Sequence, residues 1–91
     1  MAQRTVVVAS QVGLHARPAA LFTQAAAAAG VKVTIAKGDG PAVDAASILR
    51  VMALAVKYGD EVTIAADGEG ADAALDRLAE LLASDLDAVD A

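Results

Sequence analysis

Apolar and polar positions change rhythm repeatedly along the chain. Arg4-Thr5-Val6-Val7-Val8-Ala9 is a short β-branched run, the usual content of a buried strand. Ser10 to Leu14 interrupts it with polar residues and Gly13. A helix is predicted from His15 or Ala16, with Pro18 in its first turn, where the missing N–H has no intrahelical acceptor anyway. It runs through Leu21, Phe22 and Ala25 to Ala29, and Gly30 is its stop. Val31 to Ala36 alternates and predicts a half-buried strand; Lys37-Gly38-Asp39-Gly40 is a turn, and Pro41 to Asp44 returns as a short hairpin strand. Ser47 is a suitable N-cap for a second helix over Ile48 to Lys57, closed by Gly59. Glu61 to Ala65 alternates again. After a Gly68 and Gly70 turn, Leu75, Leu78 and Leu82 repeat at helical spacing, with Ala71 and Ala79 on the same side. Glu69 and Asp72 near that helix start favour its dipole.

The order is β-α-β-β-α-β-α, an α+β arrangement in which three helices cover one face of a four-stranded, largely antiparallel sheet. Composition narrows this further. At 91 residues the chain has room for one core, so positions 1–91 are read as a single domain, with Asp85 to Ala91 an acidic tail expected to fray. Apolar residues make up 57% of the chain but only Phe22 and Tyr58 are aromatic, so the core must pack through Val, Ile, Leu and Ala. With no cysteine, disulfides, zinc fingers and thiol catalysis are excluded, and a reducing cytoplasmic setting is the simple reading. The start of the chain lacks the pattern of a signal peptide, and no apolar run approaches the ~20 residues that span a bilayer, so membrane insertion is not expected. A net charge of −5 argues against nucleic-acid binding, which depends on neutralising phosphates.

Gly13-Leu14-His15-Ala16-Arg17-Pro18-Ala19-Ala20 concentrates the chemistry. It places the only imidazole where a strand-exit loop meets a helix N-terminus, with a guanidinium two residues on. Backbone N–H groups there, those of Ala16 and Arg17, suit an anion, and the same field disfavours imidazolium, keeping His15 neutral and nucleophilic. Arg17 can neutralise phosphoryl oxygens with its forked donors. Nucleophile, anion cradle and cation together suit reversible phosphoryl capture. A histidine before a helix can equally be a cap or a surface residue, and the residues alone leave both readings open. With one histidine and no cysteine, no metal site is expected, and no cofactor either. The Gly38-x-Gly40 and Gly68-x-Gly70 pairs are turns and not nucleotide fingerprints.

The same eight residues resemble the active-site signature of the HPr family, the histidine-containing phosphocarriers of the bacterial phosphoenolpyruvate:sugar phosphotransferase system. The resemblance extends over nearly the whole chain, through its length, its element order and Ser47-Ile48-Leu49 opening the second helix. It implies an open-faced β-sandwich and a phosphoryl group carried on Nδ1 of His15. Enzyme I would be the donor and the IIA unit of a sugar permease the acceptor, and Arg17 would stabilise the phosphohistidine. The protein would be a stoichiometric intermediate, a monomer and not a turnover enzyme. The resemblance also implies an exposed docking patch of Ile48, Leu49 and Met52, completed by Ala16, Ala20 and Gln24 with Arg50 at its rim; for an apolar helix the bland alternative is that these residues are core. Adaptable Met suits a surface that meets two partners.

Ser47 matches a serine phosphorylated by a dedicated kinase in many Gram-positive relatives, but Ala45-Ala46 stands before it where those relatives carry lysine, which favours the capping role. Ala16 replaces a Ser or Thr of many relatives, Val12 a polar residue, and Gln24 and Ala27 lack lysines that some place near the site. These departures bear on rate and partner choice. Two alternatives stand beside the carrier of the sugar branch: a paralogous carrier of a nitrogen-related or dihydroxyacetone branch, and a regulatory binding module whose histidine only caps a helix.

Overall fold

The alternating segments form one sheet because each has a single apolar face to bury. A computed structural model of the chain describes residues 2–9, 13–14 and 16–84. Its elements are β1 (Ala2–Val7), α1 (Ala16–Ala27), β2 (Val33–Lys37), β3 (Val43–Asp44), α2 (Ile48–Ala53), β4 (Glu61–Ala66) and α3 (Ala71–Ala83). The sheet order is β1-β4-β2-β3, and every neighbouring pair is antiparallel. Val33 and Ile35 of β2 and Val62, Ile64 and Ala66 of β4 are buried. The other face carries mostly polar and small residues, with Val7 of β1 exposed among them. Thr5 and Thr63 stand opposite one another there, their hydroxyls 3.3 Å apart.

The three helices lie on the buried face. Phe22 from α1, Val51 from α2 and Leu75, Leu78 and Leu82 from α3 meet the sheet's aliphatic residues in a single core. α3 packs on β1 and β4, and α1 packs on both other helices. This is the α+β, β-α-β-β-α-β-α open-faced sandwich expected from the sequence. Arg4 joins β1 to α3 by reaching Asp72 at 3.3 Å and Asp76 at 3.1 Å. Such exposed pairs are worth little individually.

β2 and β3 each start two residues later than the sequence reading, at Val33 and Val43, and three further elements differ for a physical reason. β1 spans Ala2–Val7 instead of Arg4 to Ala9, and it alternates between half-buried and exposed, leaving Val7 55% exposed. As an edge strand of a sheet open on one side, it is not buried on both faces as its β-branched run suggested. α1 stops at Ala27, two residues early: the Ala29 N–H donates to the Ala26 carbonyl in a tightened last turn before Gly30 turns left-handed at φ +80°. α2 is the largest departure. It ends at Ala53 instead of Lys57, because Leu54 caps it and Ala55 adopts φ +56°.

Two side chains hold the start of α2. The Ala46 N–H donates to Asp44 Oδ1 at 2.9 Å, and the Arg50 N–H donates to Ser47 Oγ at 3.4 Å. Ser47 is therefore the N-cap its sequence position indicated.

Asp60 holds the turn after α2. Its Oδ2 accepts the Lys57 N–H at 2.9 Å and lies 3.4 Å from Lys37 Nζ. The Lys57 N–H, with the Lys37 ammonium beside it, holds the Asp60 carboxyl below its ordinary value of 3.8. A carboxyl depressed in the folded state stabilises the fold above its unfolded pKa, and that contribution is lost as pH falls through the folded value. Asp60→Asn is therefore expected to be less stable than the parent at neutral pH, with the gap closing below pH 3.8. Urea unfolding of both proteins across that range measures it; a gap independent of pH would contradict the assignment.

Candidate functional site

The segment around the lone histidine is built from its fixed neighbours. Gly13 has φ +67°, a conformation that L side chains rarely adopt. A Cβ at Gly13 would lie 2.1 Å from the Val56 carbonyl oxygen and 2.7 Å from the Lys57 Cα, so glycine is required for space as well as for φ. The next residue makes this approach a bond: the Leu14 N–H donates to the Val56 carbonyl at 3.1 Å. Leu14 is 2% exposed and its side chain joins the core. Two residues further on, Ala16 is already the first residue of α1.

Pro18 and Ala19 are buried in the first turn of α1, which seats the helix end against the body of the protein. Arg17 is exposed on the same turn. Without an acidic residue in that turn, nothing in α1 itself opposes an anion there. His15, Val12 and the tail from Asp85 to Ala91 lie outside the described residues, as does the side chain of Ala16.

The loop before the site is tied at its other end too. The Val8 N–H donates to the Asp60 carbonyl, and the Gly59 N–H donates to the Val8 carbonyl, both at 2.9 Å. Segment 56–60 thus holds the chain on both sides of residues 9–13. The Gly13 signal was present in the sequence, but its partner at Val56 was hidden by a helix predicted to run through that position.

A family model described as the PTS HPr component phosphorylation site matches residues 2–84. The chain belongs to the HPr family. The phosphocarrier protein HPr of Streptomyces coelicolor is 55% identical over 87 residues, which cover 96% of this chain and 94% of that one. The HPr-like protein Crh of Bacillus subtilis is 48% identical over 79 residues, covering 87% and 92%. Among solved structures, a phosphocarrier protein HPr from Bacillus anthracis superposes with a TM-score of 0.84 at 42% identity, covering 89% of this chain and 95% of that one. Membership in this family makes the chain a phosphoryl carrier of the phosphotransferase system, as its signature implied.

The expected docking residues occupy three different environments. Leu49 is 79% exposed on α2, Ile48 39%, and Arg50 is exposed beside them. Met52 is half-buried and packs against the core, while Val51 is fully buried. On α1, which packs against α2, Gln24 is exposed and Ala20 half-buried. The helix therefore offers an apolar surface centred on Leu49, with Met52 shared between surface and core. Ala55 is exposed beyond the helix end.

Charge shows a feature that the net value hides. The first carboxylate in the chain is Asp39, and none occurs between Asp44 and Asp60. α1 and α2 consequently carry Arg17 and Arg50 and no acidic residue, while α3 carries Asp72, Asp76 and Glu80 beside Arg77. The α1 and α2 surface of a −5 protein thus carries only positive charged side chains. Two grooves, of about 280 and 290 Å³, include nothing from Gly13 to Ala20: one lies between the end of α1 and α3, the other beside Lys32, Thr34 and Asp67. No group of three or more metal-ligating side chains occurs among the described residues, and none of their helices is long and apolar enough to cross a membrane.

Two stability measurements check this geometry. Gly13→Ala combines a left-handed φ with a backbone collision and should cost about 2–4 kcal/mol in denaturant unfolding; a cost within experimental error would mean the close approach is absent. Leu49→Asp should change stability by less than about 0.5 kcal/mol, whereas Met52→Asp, which forces a charge toward the core, should cost about 2 kcal/mol. Equal effects would remove the distinction between them.

Proposed function

We propose that His15 is the residue that takes up the phosphoryl group. Its Nδ1 lone pair attacks the phosphorus of phospho-enzyme I; the new P–N bond forms as the bond to enzyme I breaks, and the reverse exchange delivers the group to a IIA unit. The observation that carries this reading is the pinning of Gly13 and Leu14 against Val56 immediately before the chain's only histidine and the α1 N-terminus immediately after it.

The first-turn N–H groups of α1 at Ala16 and Arg17 can donate to phosphoryl oxygens, and the Arg17 guanidinium neutralises their charge. The same helix field keeps the imidazole unprotonated and able to attack. Bond is exchanged for similar bond, so the group is held without being committed, as a stoichiometric carrier requires. The partners dock on the surface formed by Ile48, Leu49 and Met52 with Ala16, Ala20, Gln24 and Arg50, where the positive charges of α1 and α2 steer acidic partners. The carrier works as a cytoplasmic monomer of one domain. Ser47 acts as the α2 cap.

Incubation with phosphoenolpyruvate and enzyme I should place one acid-labile, base-stable phosphate on the chain, and His15→Ala should carry none. Leu49→Asp should raise the KM of enzyme I for the carrier ~10-fold, equivalent to about 1.4 kcal/mol of docking, with little change in the rate at saturation. Full phosphorylation of His15→Ala would sink the reading.

A further inference from the structure

Ala55 is the only non-glycine residue with positive φ among the described residues, and it sits directly before the carbonyl that pins Leu14. An L side chain at φ +56° needs surrounding contacts to keep it there. Those contacts are on hand. Lys37 Nζ, at the end of β2, donates to the Ala55 carbonyl at 3.1 Å. The same ammonium lies 3.4 Å from Asp60 Oδ2, and that oxygen accepts the Lys57 N–H at 2.9 Å. One side chain therefore grips the α2 exit turn at Ala55 and, through Asp60, at Lys57. Between these two points lies Val56, whose carbonyl holds Leu14.

We propose that Lys37, with Asp60, is a positioning residue for phosphoryl transfer: it locks the 55–57 turn so that the Val56 carbonyl fixes the residue preceding His15. Lys37 lies on the sheet and is not part of the α1 and α2 docking surface. Its ammonium is committed to Ala55 and Asp60. The effect on chemistry runs through the turn and the Leu14 hydrogen bond, and rests on the carrier reading of His15. Removing the ammonium leaves Ala55 with a strained φ and one restraint fewer, so the turn should open more often while the core stays packed. Arginine keeps a donor and a positive charge at the same place. Glycine at position 55 removes the strain and makes the grip less necessary.

The test uses the full-length chain as wild type, Lys37→Met, Lys37→Arg and the double variant Lys37→Met/Ala55→Gly. Amide hydrogen exchange should be at least ten times faster at Leu14 in Lys37→Met, with Ile64 and Leu78 unchanged relative to wild type. Phosphorylation by enzyme I and phosphoenolpyruvate should show a several-fold lower rate at saturating carrier with KM within twofold. Lys37→Arg and the double variant should restore both readouts. Unchanged Leu14 exchange, a defect confined to KM, or a loss shared equally by Ile64 and Leu78 would each overturn the positioning role. If wild type itself takes no phosphate on His15, the carrier reading fails instead, while the exchange measurement still decides whether Lys37 controls Leu14.

Discussion

The contact between Gly13 and the Val56 carbonyl is the constraint on which the site depends. A backbone can come this close only where no Cβ intervenes, and at Gly13 a Cβ would fall 2.1 Å from the carbonyl oxygen. The approach allows the Leu14 N–H to reach that oxygen, and it places the Leu14 side chain in the core. From Leu14 the chain has one residue, His15, before α1 begins. On the proposed reading, the benefit of anchoring Leu14 just before the histidine is preorganisation: less freedom is left to lose when a partner presents a phosphoryl group. The rest of the fold supplies the two sides of the contact. The turn at Gly59 and Asp60 holds the β1 exit at Val8, Leu82 of α3 accepts the Ala9 N–H, and the shortened α2 releases the Val56 carbonyl to meet Leu14.

The same shortening explains how α2 supports Leu14 while leaving an apolar side chain exposed. Six helical residues bury Val51 and half-bury Met52, leaving Leu49 outward. A helix continued to Lys57 would turn the Val56 carbonyl into the helix's own hydrogen-bond direction and take it away from Leu14. Charge segregation adds to this division of labour: α1 and α2 hold cations only, while α3 holds Asp72, Asp76 and Glu80. The acidic residues keep the net charge away from zero without placing a carboxylate on α1 or α2.

Much of this was legible in the sequence. Alternation marked β2 and β4, the Leu75, Leu78 and Leu82 spacing marked α3, and Ser47 marked the start of α2, because these depend on local period and capping. The eight residues from Gly13 to Ala20 pointed to the family directly. The end of α2 was not legible. Leu54, Ala55 and Val56 all suit a helix, and what stops them is tertiary: burial of Val56, the Leu14 N–H and the Lys37 ammonium. The length of β1 was misjudged for a related reason, since a β-branched run does not reveal that one face of its sheet is uncovered. Met52 likewise reads as surface or core with equal ease until its neighbours are known.

The most direct examination of the central contact is a long-range HNCO measurement of scalar coupling between the Leu14 amide nitrogen and the Val56 carbonyl carbon, before and after phosphorylation by enzyme I. If Val56 pins the residue before His15 throughout the transfer cycle, the cross-peak is present in both states. Its absence from the unphosphorylated protein, with couplings within α3 observed in the same spectrum, would contradict the pin and with it the preorganised site.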